Sequence, residues 1–165
     1  QTPLKYFLYI RKSTDEEDRQ VLSLESQHTE LKEFAEREHI DIVETFIEKK
    51  TAKVPGREVF NTMLDKLDSG LPHQFGILSW NPDRLSRNSV DGGRLIYLLD
   101  TGKLADLKFP TLAFDNTPSG KFFLSIALCI LELLSPTPIG RLITLLSISS
   151  GTLLYSSALL ILLVR

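Results

Sequence analysis

Apolar runs and segments with helical spacing alternate along the first 134 residues of the chain. Four apolar, aromatic or β-branched runs predict strands at 4–11, 41–48, 75–81 and 109–114. Between and after these runs, apolar residues recur at intervals of three and four, which predicts helices at 23–39, 56–69, 89–101 and from about residue 118 onward. This alternation favours an α/β fold, with helices on both faces of a mostly parallel sheet of four to five strands.

Residues of special conformation mark the predicted element ends. Ser23 is suited to cap the first helix, and Gly70 and Gly102 are expected just beyond the second and third helices. Pro82 should begin a turn after the third strand, and Pro118 suits the first turn of the last helix.

Composition limits the functional classes. The chain has 165 residues, 42% of them hydrophobic, which suits one domain with a core of ordinary size. The formal net charge of -2 gives no overall basic field, so DNA contacts must come from local Arg and Lys clusters. Cys129 is the single cysteine, which builds neither a disulfide framework nor a zinc site. Without a charged, apolar leader segment, we expect a cytoplasmic, nucleoid-associated protein.

Charge divides the chain into two regions. Beyond Lys121 only Glu132, Arg141 and Arg165 are charged, and residues 142–164 carry no charge. We therefore predict a catalytic domain at 1–134 and an apolar helical tail at 135–165.

A group of polar residues follows two of the predicted strands. Arg11 ends the first strand and Ser13 comes directly after it, while Asp83, Arg84 and Arg87 follow the third strand. Because carboxyl ends of parallel strands meet at one edge of a sheet, these residues converge if the two strands are neighbours. Guanidinium groups match phosphate oxygens in bidentate geometry, so the arrangement indicates a phosphate site.

These residue types fit phosphoryl transfer from a serine nucleophile. Such reactions depend on positioning and on stabilising charge at the non-bridging oxygens, which arginines can do without a metal ion. The sequence has no Gly-rich phosphate loop after the first strand, and no acidic or His-rich metal cluster. We therefore expect no cofactor and no metal, and the missing glycines argue against a flavodoxin-like or nucleotide-binding domain.

Five blocks resemble, in order, the N-terminal catalytic domain of resolvase/invertase-type serine site-specific recombinases, and two of them resemble its large-recombinase branch. Any block alone is weak, but their order and spacing are specific. The blocks are YIRKST at 9–14, SLESQ at 23–27, EKKTAKVPGR at 48–57, WNPDRLSRN at 80–88 and FDNTPSGKF at 114–122.

The resemblance implies a covalent mechanism. Ser13 would attack a DNA phosphodiester to form a 5′-phosphoserine and release a 3′-hydroxyl, and reversal of the attack would rejoin the ends without ATP. Arg11, Arg84 and Arg87 would hold the scissile phosphate. Asp83 would orient an arginine or pass a proton to the leaving oxygen. In the family, homodimers and tetramers carry out strand exchange.

The resemblance also implies roles for residues on other elements. Gln27 would position the serine, and Arg57 matches a further active-site arginine. Glu48 and Thr51 match supporting positions. The simpler alternatives are a turn cap for Asp83, a tolerated helix polar residue for Gln27, and surface charge for Arg57 and Glu48.

Four lysines are candidates for contacts to the DNA backbone, although solvated lysines are nearly as common. They are Lys49, Lys50, Lys53 and Lys121.

The sequence departs from the family after the fifth block. Leu133 to Ser135 stand where a charged arm would continue, and Pro136 and Pro138 break the helix. For residues 142–164 we favour an out-of-frame end. A membrane span and a packing helix are the alternatives. The altered arm argues against the family's assembly, and without a DNA-binding domain we expect weak or no recombination. A non-catalytic remnant that binds DNA or a partner, and a small membrane-anchored protein, are the rival functions.

Overall fold

The computed structural model describes residues 3–12, 23–53 and 55–133, with side chains described up to residue 128. The predicted tail at 135–165 lies outside the described residues, so its three interpretations stay predictions. No helix within the described ranges is long and apolar enough to cross a membrane. In chain order the elements are β1 Lys5–Arg11, α1 Leu24–Arg37, β2 Asp41–Glu48, α2 Glu58–Ser69, β3 Phe75–Ser79, α3 Pro82–Leu85, α4 Ser89–Asp100, β4 Asp106–Lys108 and α5 Pro118–Leu133.

The strands form one four-stranded sheet in the order β2-β1-β3-β4, and every neighbouring pair is parallel. The central strand β1 pairs along its whole length with β2, from Lys5 opposite Asp41 to Arg11 opposite Glu48, with a register shift after Tyr6. The predicted α/β class and parallel sheet are confirmed.

Side chains of β1 alternate between two apolar layers, as the period of a strand requires. Tyr6, Leu8 and Ile10 pack with Leu31 and Ala35 of α1 on one face. On the other face, Phe7 and Tyr9 belong to a larger cluster that includes buried residues of α2, α4 and α5. The sheet is therefore covered on both faces, as predicted.

Local chemistry explains the helix ends. The Ser23 hydroxyl accepts the Ser26 N–H at 3.0 Å, which confirms the predicted cap of α1. Gly102 has a φ of 72° just after α4, a conformation that favours glycine. Gly70 also lies just beyond α2, as expected, although its φ of -71° is not the left-handed conformation that favours glycine. Pro82 begins the short helix α3 rather than a simple turn.

The position predicted for the fourth strand was wrong. The strand lies at Asp106–Lys108, where Leu107 pairs with Ile77 of β3, and not at residues 109–114. Pro110 has no N–H to donate to a neighbouring strand, and the residues on either side of it, Phe109 and Leu112, form an isolated antiparallel bridge. The apolar run at 109–114 supplies Phe109 and Phe114 to the core without being a strand.

Candidate active site

Arg11 ends β1 beside the segment that follows β3. The two strands are parallel neighbours with Tyr9 opposite Ser79, so their carboxyl ends meet at one edge. The Arg11 guanidinium is fully buried and donates to the backbone carbonyls of Arg84, at 3.2 Å, and Asp83, at 3.3 Å. Arg11 therefore fixes the position of the chain that carries the other two arginines.

The helix α3 places three charged side chains in one group. Asn81 caps it by accepting the Asp83 N–H at 3.2 Å. The Asp83 carboxylate accepts hydrogen bonds from Arg84, at 3.2 and 2.9 Å, and from Arg87, at 2.9 Å. The Arg84 side chain is 6% exposed and that of Arg87 is 19% exposed. We name Arg11, Asp83, Arg84 and Arg87 the arginine group.

The arginine group carries three positive charges and one negative charge. The Asp83 carboxylate bonds to both Arg84 and Arg87. Its negative charge therefore offsets the repulsion between the two guanidinium groups and holds them side by side. Partial burial lowers the local dielectric and strengthens the attraction of this net positive charge for an anion. The arrangement is suited to bind a phosphate with preset donors.

Gln27 of α1 reaches the end of β1 from the opposite face of the sheet. Its buried side-chain amide donates to the Arg11 carbonyl at 3.1 Å. The next residue, Lys12, donates its N–H to the Glu48 carbonyl at 3.1 Å. Ser13 lies outside the described residues, so its predicted role as nucleophile stays a prediction.

Glu48 and Thr51 organise the loop after β2. Glu48 is buried opposite Arg11, and its Oε1 accepts the N–H groups of Lys49 and Lys50, each at 3.0 Å. The Thr51 hydroxyl accepts the Lys53 N–H at 3.3 Å. These contacts shape the loop, and neither residue bonds to the side chains of the arginine group among the described contacts.

Arg57 is buried behind the arginine group. Its Nη1 donates to the Tyr9 hydroxyl at 3.0 Å, and its Nη2 donates to the Leu85 carbonyl at 2.5 Å and to Asp91 at 2.9 Å. Burial raises the pKa of Tyr9 well above its usual range, although the positive charge of Arg57 opposes the shift. The Tyr9 phenol therefore stays neutral and accepts from Arg57.

The four candidate lysines divide into two sites. Lys49, Lys50 and Lys53 lie in the loop after β2, whose Ala52 carbonyl accepts the Arg87 N–H at 3.1 Å, so this loop borders the arginine group. Lys121 instead forms an ion pair of 2.6 Å with Asp100, the last residue of α4, at the opposite end of that helix from Arg87. Lys121 is not brought to the arginine group.

Asn88 and Asp91 are site residues that the sequence reasoning missed. Both are buried: the Asn88 amide donates to Asp91 at 2.9 Å and to the Ala52 carbonyl at 3.0 Å. The available signal was the position of Asn88 at the end of the WNPDRLSRN block. No comparable sequence signal identified Asp91. Acidic residues are common in the first turn of a helix because they interact favourably with the helix dipole.

Other possible sites within the described residues are poor candidates. Those ranges contain no group of three or more side chains suited to hold a metal ion. An open groove lies near the amino ends of the strands, away from the arginine group. It is lined by Lys5, Phe7, Val43, Glu44, Lys66, Ser69 and Phe75.

The sequence matches the family described as resolvase, N-terminal domain, over residues 6–135. The chain therefore belongs to the resolvase family of serine recombinases, as the five sequence blocks predicted. No curated protein sequence matches the chain.

Solved structures of serine recombinases have the same fold. The N-terminal catalytic domain of TP901-1 integrase matches with a TM-score of 0.57 and 22% identity, over 78% of this chain and 94% of that one. A resolvase family site-specific recombinase from Streptococcus pneumoniae matches with a TM-score of 0.59 and 22% identity, over 94% and 99%. The catalytic domain of ISC1926 TnpA, an IS607-like serine recombinase, matches with a TM-score of 0.51 and 17% identity, over 79% and 81%. At these identities the likeness supports the fold alone.

Proposed function

We propose that this chain is a serine site-specific recombinase domain that cleaves and rejoins DNA through a covalent bond to Ser13. The observation that carries the proposal is the arginine group. Arg84 and Arg87 share the Asp83 carboxylate, and Arg11, two residues before Ser13, donates to the backbone carbonyls of Arg84 and Asp83. Family membership supports the proposed reaction class, and the charge arrangement supports the proposed phosphate site.

In the proposed first step, the Ser13 oxygen forms a bond to phosphorus and the bond from phosphorus to the 3′-oxygen breaks. The serine loses its proton, and the leaving 3′-oxygen gains one. Arg84 and Arg87 stabilise charge on the non-bridging oxygens, and Asp83 keeps both arginines oriented. In rejoining, a 3′-hydroxyl attacks the phosphoserine, so no cofactor and no nucleotide are consumed.

Contacts to the DNA backbone are proposed for the loop lysines Lys49, Lys50 and Lys53, because their loop bonds directly to the segment carrying Arg87. Each would neutralise one phosphate and steepen the salt dependence of binding. Lys121 is a weaker candidate because Asp100 neutralises it. We assign residues 1–134 to catalysis. Recognition of a specific DNA sequence would have to come from a region outside this domain.

Self-association and location are further parts of the proposal. On α5, Phe122 and Phe123 are each 62% exposed, which supports burial of this helix against another chain. A dimer or tetramer in the cytoplasm, associated with the nucleoid, fits a DNA recombinase. The altered sequence after Leu133 is expected to weaken this assembly and the recombination that depends on it.

The test is covalent trapping. The chain is mixed with nicked or mismatched DNA fragments from the sequence flanking its gene, and denaturing gels reveal any protein–DNA adduct. We expect an adduct that Ser13→Ala abolishes and that Arg94→Ala leaves unchanged. Arg94 is a suitable control because it bonds to Asn61 and Asp65 on α2, away from the arginine group.

A negative result divides into two cases. No adduct from this chain, but an adduct when residues 1–134 are fused to an intact family arm, would mean a working catalytic domain with a defective C-terminal region. No adduct from either protein would overturn the catalytic proposal and favour a remnant that only binds DNA or a partner.

A further inference from the structure

Asp91 and Arg57 form the most deeply buried ion pair of the described chain. Their side chains are 2% and 1% exposed, and Arg57 Nη2 lies 2.9 Å from Asp91 Oδ2. The Arg57 guanidinium also stacks 3.9 Å above the Phe60 ring. A pair so completely removed from water cannot contact a DNA phosphate without opening the core, so its function must be exerted through other residues.

The pair connects to the arginine group through the backbone. Arg57 Nη2 also donates to the carbonyl of Leu85, the residue between Arg84 and Ser86. Asp91 holds Arg57 in the orientation that this bond requires, because the same nitrogen donates to both oxygens.

A second connection runs through Asn88. Its Nδ2 donates both to Asp91 Oδ2 and to the Ala52 carbonyl, while its Oδ1 accepts the Asp91 N–H at 2.9 Å. The same Ala52 carbonyl accepts the Arg87 N–H. Asp91 therefore links the loop after β2, the start of α2 and the segment between α3 and α4. Arg84 and Arg87 lie inside this linked unit.

We infer that Asp91, acting through Arg57 and Asn88, is a positioning residue that sets the backbone of Arg84 and Arg87 for phosphate binding. Its relevance to catalysis rests on the proposed function, but the structural link can be tested without DNA. Loss of the carboxylate charge should loosen the Ala52–Arg87 contact while leaving the sheet intact. DNA binding through the loop lysines should persist, whereas the rate of the covalent step should fall.

The experiment compares Asp91→Asn and Asp91→Glu with Asp65→Asn in the full chain. Asp65 is a matched control because its ion pair with Arg94 also joins α2 to α4 but is exposed. Amide hydrogen exchange by NMR follows the Arg87 N–H, with the amides of Leu8 and Leu78 in the sheet as internal references. We expect Asp91→Asn to speed exchange of the Arg87 amide about tenfold or more, with the reference amides unchanged, as in local opening.

Adduct formation is then measured over a range of DNA concentrations. Asp91→Asn should lower the maximal rate about tenfold or more, with little change in the half-saturating DNA concentration, because a transition-state contact is lost rather than a binding contact. Asp91→Glu should recover part of the rate, because it retains the charge, and Asp65→Asn should match the unchanged chain.

Two results would overturn the inference. One is an unchanged Arg87 exchange rate in Asp91→Asn. The other is faster exchange of all amides together in Asp91→Asn, combined with no selective effect on the Arg87 amide in Asn88→Ala, a variant that keeps the Arg57–Asp91 pair. That combination would indicate a role in global stability only. If the unchanged chain forms no adduct, the proposed function fails while the exchange rates still decide the positioning role.

Discussion

Gln27 donates its side-chain amide to the backbone carbonyl of Arg11 at 3.1 Å, and both residues are buried. This bond crosses from α1 to the last residue of β1, two positions before Ser13. Through this bond Gln27 would perform its predicted role of positioning Ser13, because the bond holds the backbone of Arg11 against α1.

Replacing Gln27 by Ala should therefore weaken both folding and catalysis. The buried Arg11 carbonyl would lose its donor, which typically lowers the free energy of unfolding by about 1–3 kcal/mol. We expect slower adduct formation with little change in DNA affinity, measured by urea unfolding and by covalent trapping. Glu36→Ala, at an exposed site of the same helix, should change neither quantity. Full adduct formation by Gln27→Ala would refute a positioning role.

The carboxylate of Asp83 makes a different prediction, because it competes with phosphate for Arg84 and Arg87. Asp83→Asn removes a negative charge from the arginine group while keeping the side-chain shape. DNA affinity should be retained or increased, and the rate of adduct formation should fall about tenfold or more because the arginines lose their common anchor. Gel-shift titration and trapping kinetics measure the two effects separately. Weaker binding with an unchanged rate would contradict this assignment.

An element could be predicted from the sequence where its own residues determine it, and not where pairing with a distant strand does. The strand β1 and the helix α1 were predictable because apolar spacing, the Ser23 cap and the buried faces all indicate the same elements. The strand β4 was not, since Leu107 is selected by pairing with Ile77 and not by the stronger apolar run that follows.

The same distinction applies to the site. Arg11, Asp83 and Arg84 could be predicted to converge because they follow neighbouring parallel strands. Asp91 could not, because its burial depends on Arg57, which comes 34 residues earlier and lies directly before α2. Arg57 was predicted to belong to the site, but its position behind the arginine group required the tertiary structure.

Gly120 at the start of α5 supports a prediction about stability. A Cβ at this position would overlap the Asp115 carbonyl oxygen and lie 3.0 Å from its carbonyl carbon. We expect Gly120→Ala to lower the free energy of unfolding by about 1–3 kcal/mol, the usual range for forced overpacking. Urea unfolding followed by circular dichroism measures the change.

Gly93 provides the matched control for this substitution. It lies inside α4, and a Cβ there would have no neighbour within 4 Å. Gly93→Ala should raise the free energy of unfolding by about 0.5–1 kcal/mol, since alanine restricts the unfolded chain more than glycine. An increase in the free energy of unfolding of both variants would show that helix propensity, and not the contact with Asp115, governs this end of α5.

The Tyr6 phenol predicts a loss of stability at alkaline pH. Its ring lies over Gly76 of β3, and its hydroxyl donates to Asp106 of β4 at 2.8 Å. Burial, the hydrogen bond and the negative charge of Asp106 all raise the pKa of Tyr6 well above its usual range. Above a pH of about 10 the unfolded chain releases this proton while the folded chain keeps it. Because the unfolded state then binds fewer protons, the free energy of unfolding must fall as pH rises.

Tyr6→Phe isolates this contribution from that of other groups titrating in the same range. At neutral pH the variant should be less stable by about 1 kcal/mol, the usual value for one hydrogen bond. Above pH 10 the original chain should lose stability faster than the variant, so the difference between them shrinks. Tyr97→Phe, at an exposed tyrosine, controls for the loss of a phenol and should not reproduce this convergence. A constant difference between pH 7 and pH 11 in urea titrations would mean that Tyr6 ionises equally in both states, contrary to its burial beside Asp106.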